Sequence, residues 1–234
     1  MTGAPDSRIA NPEPPPYPIV VLASGRGGTF RALLDAVDHG ALPVEIRALL
    51  SDRRTAPALG IAEARGIPAL ALRPRDYPDR ASFDRELFAR AAGFEPRLIV
   101  LAGYMRVIAD DVVAAWHGRL INLHPSLLPK YPGLDTYARV LAAGDPVYGA
   151  SVHYVTEQLD GGPVIAQVEL PVQTGDDADA LAQRLRPAEQ ALLVAVLGLV
   201  AAGRLALRGT AVELDRAILR APLRLSAGGG LTGL

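Results

Sequence analysis

The sequence contains no cysteine, which excludes disulfides, thiolate zinc sites and cysteine nucleophiles together. Lysine is almost as scarce. Lys130 is the only one among 24 basic residues, so a Schiff-base lysine or the lysine of a Walker loop would have to be this residue. Neither sign of charge dominates. The formal net charge is −1, which argues against a protein built mainly to grip nucleic acid or an acidic membrane surface. Long hydrophobic runs are missing too. The longest, Ala191 to Gly203, falls short of the roughly 18–20 residues that cross a bilayer. The first stretch, Met1 to Pro18, is rich in proline and holds no apolar core of the kind a signal peptide needs. These absences point to a soluble, cytoplasmic protein.

What is present is a large apolar fraction: 50 % of the 234 residues are hydrophobic and 21 % are charged. A chain of this length buries about 70 % of its unfolded surface and corresponds to one domain with decorations. Composition divides it into a proline-rich, extended lead-in (1–18), the folded domain (19–208) and a C-terminal extension (209–234). The extension ends in a glycine-rich run that is expected to form a loose tail. Within the domain, short apolar runs predict strands at 19–23, 45–50, 68–72, 98–102 and 120–124. Helical spacing predicts helices at 29–38, 56–65 and 82–92, the last capped by Ser82, and a short helix ending at Trp116. The rhythm then changes to two strands, 150–155 and 164–170, joined by a Gly-Gly-Pro turn, and a long helix from 178 to 201. This order predicts an α/β fold: an open, mostly parallel sheet with helices on both faces, ending in a β-hairpin and a long helix. Ligands of such sheets bind beyond the carboxyl ends of the strands, so the loops after Ala23, Ala102 and His124 are the places to search.

The first of these loops, Ser24-Gly25-Arg26-Gly27-Gly28-Thr29, joins a strand to a helix. Its glycines allow close backbone approach, and the helix N-terminus adds free N–H groups, so the loop suits an anion such as phosphate. Phe30 stands where a dinucleotide fingerprint needs its third glycine, and no Gly-Lys-Ser/Thr follows. A plain strand-to-helix turn remains open. At the fifth strand, Asn122 and His124 lie two apart, so both side chains face one side of the sheet. The proline-pinned segment His124 to Gly133 follows. Asp160 precedes Gly161-Gly162-Pro163 at the mouth of the hairpin. It is either ordinary turn chemistry or a carboxylate aimed at His124, which would favour the protonated imidazole. His153, mid-strand, is either a supporting group or a core histidine.

At these motifs the sequence resembles the folate-dependent phosphoribosylglycinamide formyltransferases. The resemblance rests on Val20-Val-Leu-Ala-Ser-Gly-Arg-Gly27, Leu101-Ala-Gly-Tyr-Met-Arg106, Asn122-Leu-His-Pro-Ser-Leu-Leu-Pro-Lys-Tyr-Pro-Gly133 and Leu159-Asp-Gly-Gly-Pro163. It implies a Rossmann-like formyltransferase domain that moves a formyl group from 10-formyltetrahydrofolate, as co-substrate, to the amine of glycinamide ribonucleotide, with no metal. It implies that Asn122, His124 and Asp160 are catalytic. Gly27, Gly28, Thr29, Arg186 and Glu189 would take the substrate phosphate and ribose. Arg80, Met105, Arg106, Val107, Ile108 and Glu157, with Asn122 and Asp160, would line the folate site. The implied partners are these small molecules, with no nucleic acid and no membrane; a homodimer is left open. The sequence departs from the pattern at Gly28 and Thr29, where Ser-Asn is usual, and at Asp135 and Tyr137, where histidines are common. A formyltetrahydrofolate deformylase, a methionyl-tRNA formyltransferase and a non-catalytic nucleotide-binding module are the alternatives. The deformylase is disfavoured because its extra N-terminal domain finds no room before Ile19, and the methionyl-tRNA enzyme because the chain has neither the length nor the charge for its C-terminal RNA-binding domain.

Overall fold

The structure is a computed structural model that describes residues 15–226 and 228–233. Most of the proline-rich lead-in lies outside the described residues. The first strand, β1 (Tyr17–Leu22), shows why the chain makes a two-sided sheet. Its Val20 and Leu22 enter one apolar core and its Ile19 and Val21 the other, all of them fully buried. Burying each such side chain contributes roughly 1.5–3 kcal/mol, so a strand apolar on both faces is stable only in the middle layer.

From β1 the chain runs through α1 (Gly28–Asp38), β2 (Val44–Ser51), α2 (Pro57–Glu63) and β3 (Ala69–Ala71). It returns through α3 (Arg80–Ala92), β4 (Leu98–Leu101), α4 (Asp110–Ala115) and β5 (Leu120–His124). The five strands are parallel in the order β3-β2-β1-β4-β5. Chain direction across the sheet switches between β1 and β4, which opens a crevice at their carboxyl ends. Helices α1 and α2 cover one face, α3 and α4 the other.

After α5 (Thr136–Ala143), β6 (Val147–Tyr154) and β7 (Val164–Pro171) add an antiparallel pair beside β5. The long α6 (Ala178–Ala201) then packs on the α1 face. The predicted architecture is therefore present, with differences in detail. The third helix starts at Arg80 instead of Ser82. Its cap is Asp79, whose carboxylate accepts from the Ser82 N–H at 2.7 Å, because the residue three positions before a free N–H is the one whose side chain reaches it. Helix α5 has no counterpart in the sequence reading, since neither end carries a side-chain cap.

The far end of the chain is also more ordered than its composition suggests. Strands β8 (Leu205–Arg208), β9 (Ala211–Leu214) and β10 (Ala217–Ile218) form a small antiparallel sheet. Then β11 (Leu223–Leu225) pairs in parallel with β7, and β12 (Leu231–Thr232) folds back on β11. The glycine-rich run, expected to be loose, thus supplies the turn and outer strand of a hairpin at the sheet edge.

Candidate active site

Two loops meet over the crevice. The glycine loop after β1 is tied to the loop after β4 by Ser24, which is buried. Its N–H donates to the Gly103 carbonyl and its hydroxyl accepts from the Met105 N–H, both at 3.0 Å. Gly27 caps α1 with φ 77°. A Cβ there would lie 2.9 Å from the Ala58 backbone, so only glycine lets α1 and α2 approach this closely. No side chain caps α1, which leaves its first N–H groups free, as at any uncapped helix start. Thr29 in this first turn faces the cleft.

The cleft has a volume of about 650 Å³, in the range of small-molecule sites, roughly 300–1,000 Å³. One wall is the loop after β4, with Met105, Arg106, Val107 and Ile108. Met105 is 57 % exposed although apolar. The Arg106 guanidinium turns toward α3 and lies 5.1 Å from the Phe83 ring centre. The loop's far end is held by the fully buried Asp84, which accepts from the Ala109 N–H at 2.8 Å. Glu157 and Asp160, after β6, and Glu189, from α6, also line the cleft.

Asn122 and His124 form the floor. They sit at the carboxyl end of β5, facing the same way, as their two-residue spacing requires. His124 is buried and meets acceptors at both ring nitrogens. Its Nε2 lies 3.0 Å from the Tyr131 carbonyl and its Nδ1 3.4 Å from Asp160 Oδ2. A carbonyl only accepts, so Nε2 carries a proton and donates to Tyr131, while the Asp160 carboxylate stands beside Nδ1. Asp160 has φ 49° at the hairpin mouth, and its Oδ2 also accepts from the Gly133 N–H at 2.8 Å. The turn-forming and carboxylate readings of Asp160 are thus both realised by one residue.

His153 is the neighbour that sequence reasoning left undecided. Antiparallel register places it directly across from Asn122. Its Nδ1 donates to the Tyr154 carbonyl at 2.9 Å, which leaves Nε2 to accept from the Asn122 amide at 3.1 Å. Burial pushes the His153 imidazole down to about 4, against the opposing pulls of the Tyr154 carbonyl and Asp160. A neutral ring is the one that can accept, so His153 fixes which way the Asn122 amide faces. The period-2 spacing of Ser151 and His153 was a usable signal; the strand pairing was not.

Other expected residues lie farther out. Arg80 and Arg186 are exposed and outside the cleft lining. Arg186 still acts electrostatically on Glu189. Burial raises the Glu189 carboxyl to about 7 despite that nearby cation. Tyr137, which sequence reading noted only as a departure, lines the cleft beside Glu189, and burial raises its phenol. Among the described residues, no group of three or more His, Cys, Asp or Glu gathers to hold a metal ion.

A crevice at the switch point, paired loops and a cleft lined by Asn122, His124 and Asp160 make a pocket of small-molecule size on an α/β sheet. The chain belongs to the formyl transferase family, whose pattern matches residues 17–197. Within that family it is similar to the phosphoribosylglycinamide formyltransferases. It is 41 % identical to the protein of that name from Escherichia coli K12 over 84 % of this chain and 93 % of the relative. The structure of the Coxiella burnetii phosphoribosylglycinamide formyltransferase superposes with a TM-score of 0.84 at 41 % identity, covering 92 % of this chain and 98 % of that one. A formyltetrahydrofolate deformylase from Pseudomonas syringae shares the fold, with a TM-score of 0.79, but is 24 % identical.

Proposed function

We propose that this protein transfers the formyl group of 10-formyltetrahydrofolate to the amine of 5-phosphoribosylglycinamide, giving the formylated amide and tetrahydrofolate in purine biosynthesis. The observation that carries this reading is the placement of Asn122, His124 and Asp160 at one point of the cleft, between a free helix N-terminus and an apolar loop.

The phosphate sits at the α1 N-terminus, on the N–H groups of Gly27, Gly28 and Thr29, with Arg186 as a cation at the rim and Glu189 on the ribose hydroxyls. The folate takes the wall of Met105, Arg106, Val107 and Ile108, with Glu157 also lining its site and Arg80 toward its tail. The substrate amine attacks the formyl carbon and a tetrahedral oxyanion forms. Asn122, through the amide hydrogen not given to His153, donates to that oxyanion, and protonated His124, its Nε2 held by the Tyr131 carbonyl, turns its Nδ1 hydrogen from Asp160 to the same oxygen, an effect worth about 3–4 kcal/mol per donor. As the carbon–N10 bond breaks, the proton lost by the amine passes to N10, with Asp160 assisting through His124 or water. This chemistry asks nothing of a metal. Its substrates are small molecules, and the cytoplasm is where this reading places it; among the described residues no helix is long and apolar enough to cross a membrane.

The test is formyl transfer with glycinamide ribonucleotide and water as competing acceptors. We expect transfer to the amine in the wild type and a loss of about 100-fold or more in His124→Ala. Formate release with no amine product would identify a hydrolase. Activity retained in His124→Ala would remove the mechanism.

A further inference from the structure

The segment from Pro125 to Leu134 holds both partners of the buried pair. Its Tyr131 carbonyl meets His124 Nε2 at 3.0 Å, and its Gly133 N–H donates to Asp160 Oδ2 at 2.8 Å. One short turn therefore sets imidazole and carboxylate relative to each other. From the inside it is anchored by Ser151, whose hydroxyl donates to the Ser126 carbonyl and accepts from the Leu128 N–H. Gln167 adds a bond to the Leu128 carbonyl at 2.9 Å.

From the outside, Arg139 donates to the Pro132 and Leu134 carbonyls, and one carboxylate holds the Lys130 and Tyr131 side chains. Asp145, just after α5, accepts from Lys130 Nζ and from the Tyr131 hydroxyl, both at 2.8 Å and both on Oδ2. These two bonds hold the Asp145 carboxyl below the usual carboxylate range, and the second of them raises the Tyr131 phenol. Tyr131 has φ 54°, a conformation that a tyrosine keeps only where its surroundings hold it. The Arg139 guanidinium lies over its ring at 5.3 Å. The Tyr131 side chain is thus gripped on both its hydroxyl and its face, while its own carbonyl reaches His124.

We propose that Asp145 is a positioning residue for formyl transfer: by pinning the Tyr131 side chain, it fixes the Tyr131 carbonyl and the Gly133 N–H, and through them the His124–Asp160 pair. The proposal rests on the reading of that pair as reacting groups. It also gives the lone lysine a place. Lys130 is 60 % exposed, and exposed ion pairs contribute little, so the half-buried Tyr131 hydroxyl is the main transmitter and Lys130 a secondary strut.

A double-mutant cycle on Asp145→Ala and Tyr131→Phe tests this in the formyl-transfer assay, with KM measured for both substrates. Each single variant is expected to lower kcat about tenfold while both KM values move less than about twofold, with the double variant no worse than either single. Asp145→Asn, whose amide oxygen still accepts from the Tyr131 hydroxyl, should recover most of the lost kcat. Unchanged kcat in the singles, or losses that multiply in the double, would overturn the proposal. Tyr131→Phe removes one oxygen atom and decides the matter alone should Asp145→Ala fail to fold. His124→Ala, measured alongside, separates the two readings. Activity retained there discards the reacting pair itself. Activity lost there, with Tyr131→Phe at wild-type kcat, discards only the role of Asp145.

Discussion

At the scale of single residues, burial favours the neutral form of two titratable groups, Glu189 by keeping its proton and His153 by losing one, and each yields a measurable consequence. Glu189 ionises at 4.5 when exposed and at about 7 in the fold. Between those values the folded protein keeps a proton that the unfolded chain has released. Stability therefore falls as pH rises from 4.5 to 7, and the full cost persists above 7. Glu189→Gln should remove it, raising unfolding free energy by up to about 3 kcal/mol at pH 8 and leaving it nearly unchanged at pH 4. Urea titrations across that range provide the check, and a gain that grows toward acid would show the sign to be wrong. His153 behaves conversely, staying neutral down to about 4. Its neutral ring is what accepts from Asn122, so His153→Ala leaves a half-buried amide without its partner. We expect kcat to drop about tenfold or more, at little change in KM for glycinamide ribonucleotide. Steady-state kinetics with both substrates decide it. Asn122 and His124 were legible in the sequence as a same-face pair because strand periodicity is local. The role of His153 was not, because it depends on which residue lies across the sheet.

At the scale of elements, the start of α1 shows a helix end left open. Gly27 carries the positive φ, no side chain caps the helix, and the neighbouring α2 passes within van der Waals reach. Gly27→Ala meets strain and a backbone clash together, and should cost about 2 kcal/mol or more. Gly25→Ala, at a position with open space around it, should stay within about 0.5 kcal/mol of wild type. Thermal or urea melts of the two variants would expose the difference, and equal losses would contradict this account of the loop. Helix α6 shows a second irregularity. Pro187 lies inside it, where it cannot donate to the carbonyl one turn back, and it separates Arg186 from Glu189. That pair came from the family resemblance, and its three-residue spacing is compatible with one shared face, yet the helix sends Glu189 into the cleft and leaves Arg186 at the surface. Spacing alone places two residues on neighbouring faces of a helix; only packing against α1 and α5 determines which of them is covered.

At the scale of the whole molecule, the nine-stranded sheet ends on one side in strands supplied by the C-terminal extension. Leu223 in β11 is buried and packs into the same core as α6. Leu223→Ala should cost about 2–4 kcal/mol. Removing the chain beyond Arg220 would uncover the edge of β7, which should lower the melting temperature and promote association through that edge. Melting curves and light scattering test this; a truncated protein as stable and as dispersed as the full chain would contradict it. The parallel half of the molecule was readable because each of its strands is a short apolar run bounded by turn residues, and local composition suffices for that. The strands from β8 to β12 span only two to four residues and have no such signature, since so short a segment becomes a strand only when a partner is already in place. The near absence of lysine and the total absence of cysteine removed thiol chemistry and nearly all amine chemistry before any geometry was known, leaving hydroxyls, amides, imidazoles, carboxylates and guanidinium groups. The sequence by itself determined that an asparagine and a histidine share a face at a strand end, and that a glycine loop opens a helix. Tertiary structure alone decided that Asp160 reaches His124, that Tyr131 offers its carbonyl to the same ring, and that Asp145 holds that tyrosine. These contacts join residues distant along the chain, and long-range proximity comes from burying two apolar cores around one sheet, which no local pattern encodes.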